Sequence, residues 1–185
     1  MKSIKVKHLM VPLEEYATVN ENATLHEAVL ALEESQKRFR QDRYKHRAVL
    51  VFDKVHNIVG KVSQLDLIRG LEAGYMKIGD LKYVSRSGFS PEFIKSMIAQ
   101  YGLWQKPLDD ICRKAAQIKV KDIMYTLTEG EYIVEDASFD EAIHQLVMGH
   151  HQSLLVTRAG KIVGILRLTD VFGEICDVIR ETCQF

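Results

Sequence analysis

An internal duplication constrains the fold of this chain more than any other feature of its sequence. Four blocks recur in the same order, two of them at an offset of 114 residues and the later two at offsets of 105 and 104. They are Val-Lys-x-x-Met (6–10 and 120–124), Thr/Ser-x-x-Glu-Ala (24–28 and 138–142), an aliphatic run (49–51 and 154–156), and Ile-Val-Gly leading to an aspartate (58–66 and 162–170). The chain therefore contains two copies of one structural unit. The shrinking offset places an insertion of nine residues in the first copy, near residues 33–44.

Each copy is predicted to fold as strand, helix, strand, strand, helix. Thr24 and Ser138 each precede a glutamate by three residues, which is the capping-box signature of a helix start. The apolar runs 48–52 and 153–157 predict buried strands, and turns connect them to second strands at 58–62 and 162–166. Closing helices are expected over about residues 64–73 and 169–183. The predicted fold class is α/β (α+β), with two βαββα repeats packed as a pseudo-two-fold pair, because one repeat alone is too short for a good core.

The 48 residues at 71–118 match neither copy. Ser90 followed by Pro91 marks a helix start, Gly102 marks its end, and Pro107 is expected to begin another helix. This segment is too apolar for a flexible linker. We therefore divide the chain into a first repeat at 1–73, a helical insertion at 74–118 and a second repeat at 119–185.

Composition excludes several classes of protein. The 25 basic and 25 acidic side chains balance, so no bulk charge attracts nucleic acid or anionic lipid. A basic cluster does occur, but Asp42 interrupts it and a nucleic-acid partner is not favoured; it comprises Arg38, Arg40, Arg43, Lys45 and Arg47. The chain has no run of 18 apolar residues to span a membrane, no signal-peptide core, and three cysteines without CxxC spacing. We expect a soluble, reduced, cytoplasmic protein.

The sequence also lacks the usual signs of catalysis. No serine or cysteine lies in a nucleophile-elbow context, and no glycine-rich loop for phosphate is present. His150 and His151 are adjacent, but no third ligand follows at metal-like spacing. We expect neither an enzyme nor a metal site.

The repeat resembles the CBS (cystathionine-β-synthase) motif, and two copies in register are similar to a Bateman module. In the first copy the resemblance rests on Met10, Thr18-Val19, Thr24-Leu25-x-Glu27-Ala28, Val51-Phe52-Asp53, Ile58-Val59-Gly60 and Ser63-x-x-Asp66. In the second it rests on Met124, Ser138-x-x-Glu141-Ala142, Leu155-Val156, Ile162-Val163-Gly164 and Asp170. It covers roughly residues 4–73 and 118–182. The family implies two clefts between the repeats that bind AMP, ADP, ATP or S-adenosylmethionine, and it implies a homodimer.

The resemblance assigns Ser63 and Asp66 to the ligand, at a strand-to-helix corner where the aspartate meets the ribose hydroxyls. An ionised carboxylate only accepts hydrogen bonds and a vicinal diol supplies two donors, so the chemistry is matched. The same Ser-x-x-Asp spacing is also a helix-capping pattern that satisfies its own backbone. Both interpretations stand on the residues alone.

The corresponding corner of the second repeat departs from this pattern. It keeps Asp170 and adds Thr169, but Arg167 stands where the first repeat has Ser63. An arginine could grip a phosphate, fill the cleft or pair with Asp170. We therefore expect the two sites to differ in affinity.

The resemblance combines each corner with residues of the other repeat. One set comprises Ala23, His46, Arg47, Arg167, Thr169 and Asp170. The other comprises Ala137, His151, Gln152, Ser63 and Asp66. A solvated loop is the alternative for His46 and Arg47, and a helix end is the alternative for His151.

Two functions follow as hypotheses. In the first, the chain is a non-catalytic regulatory module whose adenosine ligand changes the arrangement of the repeats and signals to a separate effector protein. In the second, its own side chains fill the clefts, and it acts as an adaptor or dimerisation module through the apolar insertion, residues 89–104.

Overall fold

The molecule is described here by a computed structural model, which places residues 4–38, 44–72, 74–78, 88–104 and 110–182. Its helices are α1 (Val6–Leu9), α2 (Leu25–Arg38), α3 (Gln64–Leu71), α4 (Gly74–Lys77), α5 (Pro91–Tyr101), α6 (Ile111–Gln117), α7 (Val120–Ile123), α8 (Phe139–Gly149) and α9 (Leu168–Thr182). Its strands are β1 (Val11–Pro12), β2 (Thr18–Asn20), β3 (Ala48–Phe52), β4 (Ile58–Ser63), β5 (Tyr125–Thr126), β6 (Tyr132–Val134), β7 (Ser153–Arg158) and β8 (Lys161–Arg167).

The described strands form two four-stranded sheets, in the orders β1-β8-β7-β6 and β2-β3-β4-β5. In each sheet a hairpin (β3–β4 or β7–β8) receives a parallel strand, β2 or β6, on one side. The hairpin strands are the apolar runs predicted from the sequence, and residues such as Leu50 and Leu154 are fully buried. The mixed α/β fold class is thus confirmed.

The chain forms two compact units that interleave along the sequence. The first unit contains Met1–Ala17, Glu33–His46 and Thr126–Phe185, and the second contains Thr18–Leu32 and Arg47–Tyr125. The leading segment of the first repeat, Met1–Ala17, thus belongs to the unit that holds the hairpin of the second repeat. The leading segment of the second repeat, up to Tyr125, belongs in turn to the unit that holds the hairpin of the first repeat. The linear boundaries at residues 73 and 118 stay a prediction.

Backbone hydrogen bonds show how these leading segments are exchanged. In the first unit the Val6 amide donates to the Ala137 carbonyl at 3.1 Å, and the Phe139 amide donates to the Ile4 carbonyl at 3.0 Å. Each Val-Lys-x-x-Met block therefore pairs with the helix start of the other repeat, and the second unit repeats the pattern.

In that second unit the Val120 amide donates to the Ala23 carbonyl at 2.8 Å, and the Leu25 amide donates to the Ile118 carbonyl at 2.9 Å. Because buried amides and carbonyls require partners, neither helix start is complete without the leading segment of the other repeat.

The glycine of each Ile-Val-Gly block allows a leading segment to approach the hairpin. A Cβ atom at Gly164 would lie 2.5 Å from the Val11 carbonyl oxygen, and one at Gly60 would lie 2.8 Å from the Met124 sulfur. Separations this short are repulsive, so a side chain at either position would displace its neighbour. This close contact explains why both repeats carry glycine there.

Gly164→Ala is expected to lower the free energy of unfolding by about 1–3 kcal/mol, because the new methyl group collides with backbone rather than with a flexible side chain. Urea denaturation measures the change. Gly173→Ala in α9 is the matched control, since no described atom beyond its chain neighbours and the backbone of its own helix lies within 4 Å of its Cβ position. This control is expected to be neutral or up to about 1 kcal/mol stabilising. Equal effects of the two substitutions would contradict the close-contact explanation.

The insertion begins its main helix as the sequence predicts. The Ser90 hydroxyl accepts a hydrogen bond from the Phe93 amide at 3.2 Å, Pro91 is the first residue of α5, and Gly102 ends it with φ of 59°. Positive φ suits glycine at a helix end. The predicted start at Pro107 lies outside the described residues, and α6 is described from Ile111.

Glu72 connects the insertion to the end of the first repeat, within the second unit. Its carboxylate accepts hydrogen bonds from the Gly74 amide at 3.1 Å and from the Trp104 amide at 3.0 Å. The Trp104 indole also donates to the Tyr75 hydroxyl at 3.1 Å, and Leu103 is 4% exposed. The segment after α5 is therefore packed on the molecule, whereas no residue of α5 itself is buried.

Candidate functional site

The first candidate corner lies where β4 runs into α3, in the second unit. Asp66 Oδ2 accepts hydrogen bonds from the Ser63 amide at 2.9 Å and from the Ser63 hydroxyl at 2.6 Å. The Ser63 hydroxyl in turn accepts a hydrogen bond from the Asp66 amide at 3.2 Å. The capping interpretation of the Ser-x-x-Asp spacing is therefore observed.

This cap leaves half of the Asp66 carboxylate unused. No described residue donates a hydrogen bond to Asp66 Oδ1, and the residue is only partly buried. Each carboxylate oxygen carries acceptor sites of its own, so Oδ1 can accept from a ligand while Oδ2 continues to cap the helix. Capping and ligand binding are thus compatible at this corner, although the sequence presents them as alternatives.

The second candidate corner, where β8 runs into α9 in the first unit, is built differently. Arg167 Nε donates to one oxygen of Asp170 at 2.6 Å, and Nη2 donates to the other at 2.5 Å. The two side chains are 6% and 5% exposed. Of the three roles open to Arg167 from the sequence, the structure shows the pairing with Asp170, and this bidentate pair engages both carboxylate oxygens.

Residues before β3 complete the surroundings of the guanidinium. Arg167 Nη1 donates to the Tyr44 carbonyl at 2.6 Å and approaches His46 Nδ1 at 3.2 Å. Since a guanidinium only donates, Nδ1 is the acceptor in the latter contact. Gln36 donates to the His46 carbonyl at 2.6 Å, and His46 is fully buried. The solvated-loop alternative for His46 is therefore wrong.

Tyr16 packs against His46 of this cluster. Its ring lies 4.3 Å from that of His46, measured between centroids, and the residue is 7% exposed. Burial raises the pKa of the Tyr16 phenol from 10.0 to about 12, with a further increase from Asp170 and an opposing effect of Arg167. The phenol is therefore neutral at physiological pH.

The raised pKa of Tyr16 predicts a loss of stability in strong alkali. Between pH 10 and about pH 12 the unfolded chain releases the phenolic proton and the folded chain keeps it. Fewer protons are then bound to the unfolded state, so the free energy of unfolding falls as pH rises through this range, by roughly 2–3 kcal/mol in total. Urea titrations across this range should show a shallower decline for Tyr16→Phe than for the original chain. Parallel declines would contradict the assignment to Tyr16.

The other predicted site residues lie on the same structural framework. The Gln64 amide donates to the Arg47 carbonyl at 2.9 Å, and the Leu168 amide donates to the Gln152 carbonyl at 3.0 Å. Both Arg47 and Gln152 have exposed side chains. Each therefore lies beside the corner of its own repeat, where its side chain is accessible to a ligand.

Ala23 and Ala137 lie at the helix starts and accept the backbone bonds of the exchanged segments, and Thr169 lies partly buried in the first turn of α9. His151 lies just after α8, and its amide donates to the Leu146 carbonyl at 3.0 Å. A Cβ atom on Gly149 would lie 2.1 Å from His151 Nε2, so the imidazole of His151 lies directly on the end of α8. His151 is thus located where its helix-end interpretation places it.

Groups of metal-binding side chains are absent from the part of the chain that the structure describes. Within the same residues, every helix is too short or too polar to cross a bilayer.

A family model described as the CBS domain matches the chain over residues 6–73 and 120–177, which are the two repeats. The chain belongs to the CBS-domain family. Its two matched regions make it a tandem CBS protein, as the sequence predicts. No curated protein gives a significant match to the chain.

Solved structures share the fold of this CBS pair. A CBS-domain protein of unknown function from Bacillus anthracis is 18% identical, with a TM-score of 0.60 over 94% of each chain. The CBS domain of a CBS-domain-containing membrane protein from Sphaerobacter thermophilus is 17% identical, with a TM-score of 0.60 over 93% of this chain and 88% of that one.

A third structure is CBSX2 in complex with AMP, at 18% identity and a TM-score of 0.56 over 94% of this chain and 97% of that one. CBSX2 is a CBS-pair protein from Arabidopsis thaliana. At such identities these likenesses show the fold alone.

Sequence reasoning missed the groups around Arg167 that come from the first CBS repeat. The Tyr16 ring, the Tyr44 carbonyl and the Gln36 amide all belong to this cluster, yet none lies in a matched block. Tyr44 is 123 residues from Arg167 along the chain. The one available signal was the arginine itself, because a charged residue at the end of a buried strand requires buried partners.

Proposed function

We propose that this CBS pair is a non-catalytic regulatory module that binds an adenosine-containing ligand at the Ser63–Asp66 corner. The ligand class comprises AMP, ADP, ATP and S-adenosylmethionine, which share a ribose with vicinal hydroxyls. The observation that carries the proposal is the free Oδ1 of Asp66 among the described residues, beside an oxygen that already caps the helix. A carboxylate in this state can accept hydrogen bonds from a ribose without rearrangement of the backbone.

Two further points support this choice of ligand. AMP is the ligand of CBSX2, a protein of the same fold. Arg47, whose backbone carbonyl accepts from Gln64 at the corner, has an exposed side chain with a positive charge suited to a phosphate.

The ligand can regulate the chain if it binds one conformation more tightly than another and so shifts the equilibrium between them. We propose that this conformational change is passed on through a homodimer to a separate effector protein. Because the proposal contains no chemical step, it requires no catalytic residue.

Thermal denaturation in the presence of AMP, ADP, ATP or S-adenosylmethionine tests the proposal. A ligand at 100 times its Kd stabilises the folded state by about 2.7 kcal/mol. For a chain of this size that corresponds to an increase in Tm of roughly 5–10 °C. Guanosine monophosphate is the matched control for the base. If none of the four adenosine compounds changes Tm, the proposal is wrong.

A second candidate is an interaction module, and one observation favours it. No residue of α5 is buried, and Phe93, Ile94 and Ile98 are each more than 40% exposed on this helix. Apolar side chains exposed together are typical of a surface that binds another protein. A chain without any nucleotide response, but with self-association that Ile94→Asp and Ile98→Asp abolish, would support this candidate instead.

A further inference from the structure

We infer that Arg167 is an internal occupant of the second corner and that it limits each chain to one adenosine ligand. The inference rests on the proposed function, because it specifies how many of the two corners bind. It concerns the Arg167–Asp170 cluster of the first unit, which is compared with the Ser63–Asp66 corner.

The two corners are equivalent in backbone structure. Ser63 ends β4 and Arg167 ends β8, and the aspartate follows three residues later in each case. The backbone hydrogen bond that follows is also the same. The Gln64 amide donates to the carbonyl of Arg47, just before β3, and the Leu168 amide donates to the carbonyl of Gln152, just before β7. The difference between the corners is therefore one of side chains.

The hydrogen bonds of the two aspartates differ accordingly. Asp66 Oδ2 accepts from Ser63, and Oδ1 accepts from no described residue. Both oxygens of Asp170 accept charge-assisted bonds from Arg167. A guanidinium presents two parallel N–H donors to a carboxylate, as a ribose diol presents two O–H donors. Arg167 thus makes the contacts that a ribose would require.

Exchange of Arg167 for a ligand is strongly unfavourable. Four of the five guanidinium N–H groups point at acceptors in Asp170, Tyr44 and His46, at 2.5–3.2 Å. The side chain is 6% exposed, so water cannot replace these partners unless the cluster opens. A ribose would therefore have to separate this buried guanidinium from the carboxylate of Asp170.

Calorimetric titration with AMP tests the inference through its stoichiometry. The original chain is expected to bind one AMP per chain, and Asp66→Ala to bind it at least tenfold more weakly. Arg167→Ser recreates the Ser-x-x-Asp corner of the first repeat and is expected to bind two. The double variant Asp66→Ala/Arg167→Ser is expected to bind one AMP more tightly than Asp66→Ala does, at the opened second corner. A purely structural role for Arg167 would not add a binding site.

The outcomes separate this inference from the proposed function. Two AMP molecules on the original chain, an unchanged Kd in Asp66→Ala, or a double variant that binds no more tightly than Asp66→Ala would each overturn the inference. If the original chain binds none of AMP, ADP, ATP and S-adenosylmethionine, the proposed function fails. Binding of one of these compounds by Arg167→Ser would then still support the closed corner, and no binding by this variant would overturn it. If Arg167→Ser does not fold, Arg167→Thr offers the same hydroxyl. Should both fail to fold, Asp66→Ala decides alone: a Kd raised at least tenfold supports a closed second corner, and AMP binding with the original Kd refutes it.

Discussion

Arg167→Ala is expected to lower the free energy of unfolding by about 3–5 kcal/mol. Asp170 would keep its charge at a site where its side chain is 5% exposed, and it would lose the two donors that now neutralise it. The Tyr44 carbonyl and His46 Nδ1 would lose the same donor group. Breaking one half of a buried pair is costly because the other half remains buried and uncompensated. Urea denaturation at neutral pH measures the loss.

Two controls show whether this loss comes from the buried pair. Arg158→Ala removes an arginine of the same unit that pairs with Glu135 but is 62% exposed, so a much smaller loss than that of Arg167→Ala is expected. Arg167→Ala and Asp170→Ala together should cost less than the sum of the single variants, because both single variants lose the same bidentate contact. Additive losses, or equal losses from Arg158→Ala and Arg167→Ala, would show that the pair is not a coupled unit.

Asp66→Ala is expected to weaken binding of the adenosine ligand at least tenfold. One hydrogen bond to a charged group contributes about 1.5–3 kcal/mol, which corresponds to a factor of roughly 10–150 in Kd. The substitution also removes the Asp66 side-chain half of the capping box of α3, while the Ser63 hydroxyl keeps its bond to the backbone amide, so some loss of stability without ligand is expected as well, about 1 kcal/mol. Calorimetric titration separates the two effects, since it measures Kd on the folded protein.

Glu27→Ala is the matched control for the capping part of that loss. Glu27 Oε2 accepts from the Thr24 amide at 2.6 Å and from the Thr24 hydroxyl at 2.8 Å, the same arrangement that Asp66 makes with Ser63. Glu27→Ala removes an equivalent capping carboxylate from α2 and is expected to leave the Kd for the adenosine ligand unchanged. If the two variants weaken binding equally, Asp66 acts through stability and not through contact with the ligand.

The duplication made the elements of each repeat predictable. The apolar run at 48–52 coincides with β3, and the Ser90-Pro91 start and Gly102 end coincide with the bounds of α5. These features are local, since strand alternation, capping side chains and glycine at positive φ all act within a few residues. Matching the repeats then placed Gly60 and Gly164 at one structural position before any contact was known.

The exchange of leading segments was not predictable in the same way. The Val-Lys-x-x-Met block carries no local signal that distinguishes pairing with its own repeat from pairing with the other. Hydrogen bonds such as that from the Val6 amide to the Ala137 carbonyl join residues more than a hundred positions apart. Such pairing depends on the packing of the whole unit and not on local preference.

The sequence predicted which residues form the two corners of the candidate site, but it did not predict which hydrogen bonds they make. The sequence placed Ser63, Asp66, Arg167 and Asp170 at two equivalent corners and left capping, pairing and ligand binding open for them. Capping at one corner and pairing at the other depend on which groups lie nearby in three dimensions. For Arg167 these include the Tyr44 carbonyl and His46, which lie at and just after the end of the segment where the repeats differ in length.

A structure determined from crystals soaked with AMP tests the central claim most directly. The account predicts one nucleotide per chain, with ribose hydroxyl oxygens about 2.5–3.0 Å from Asp66 Oδ1. It also predicts that the Arg167–Asp170 pair stays intact. A nucleotide whose ribose lies away from Asp66, or one that displaces Arg167 and contacts Asp170, would contradict the account.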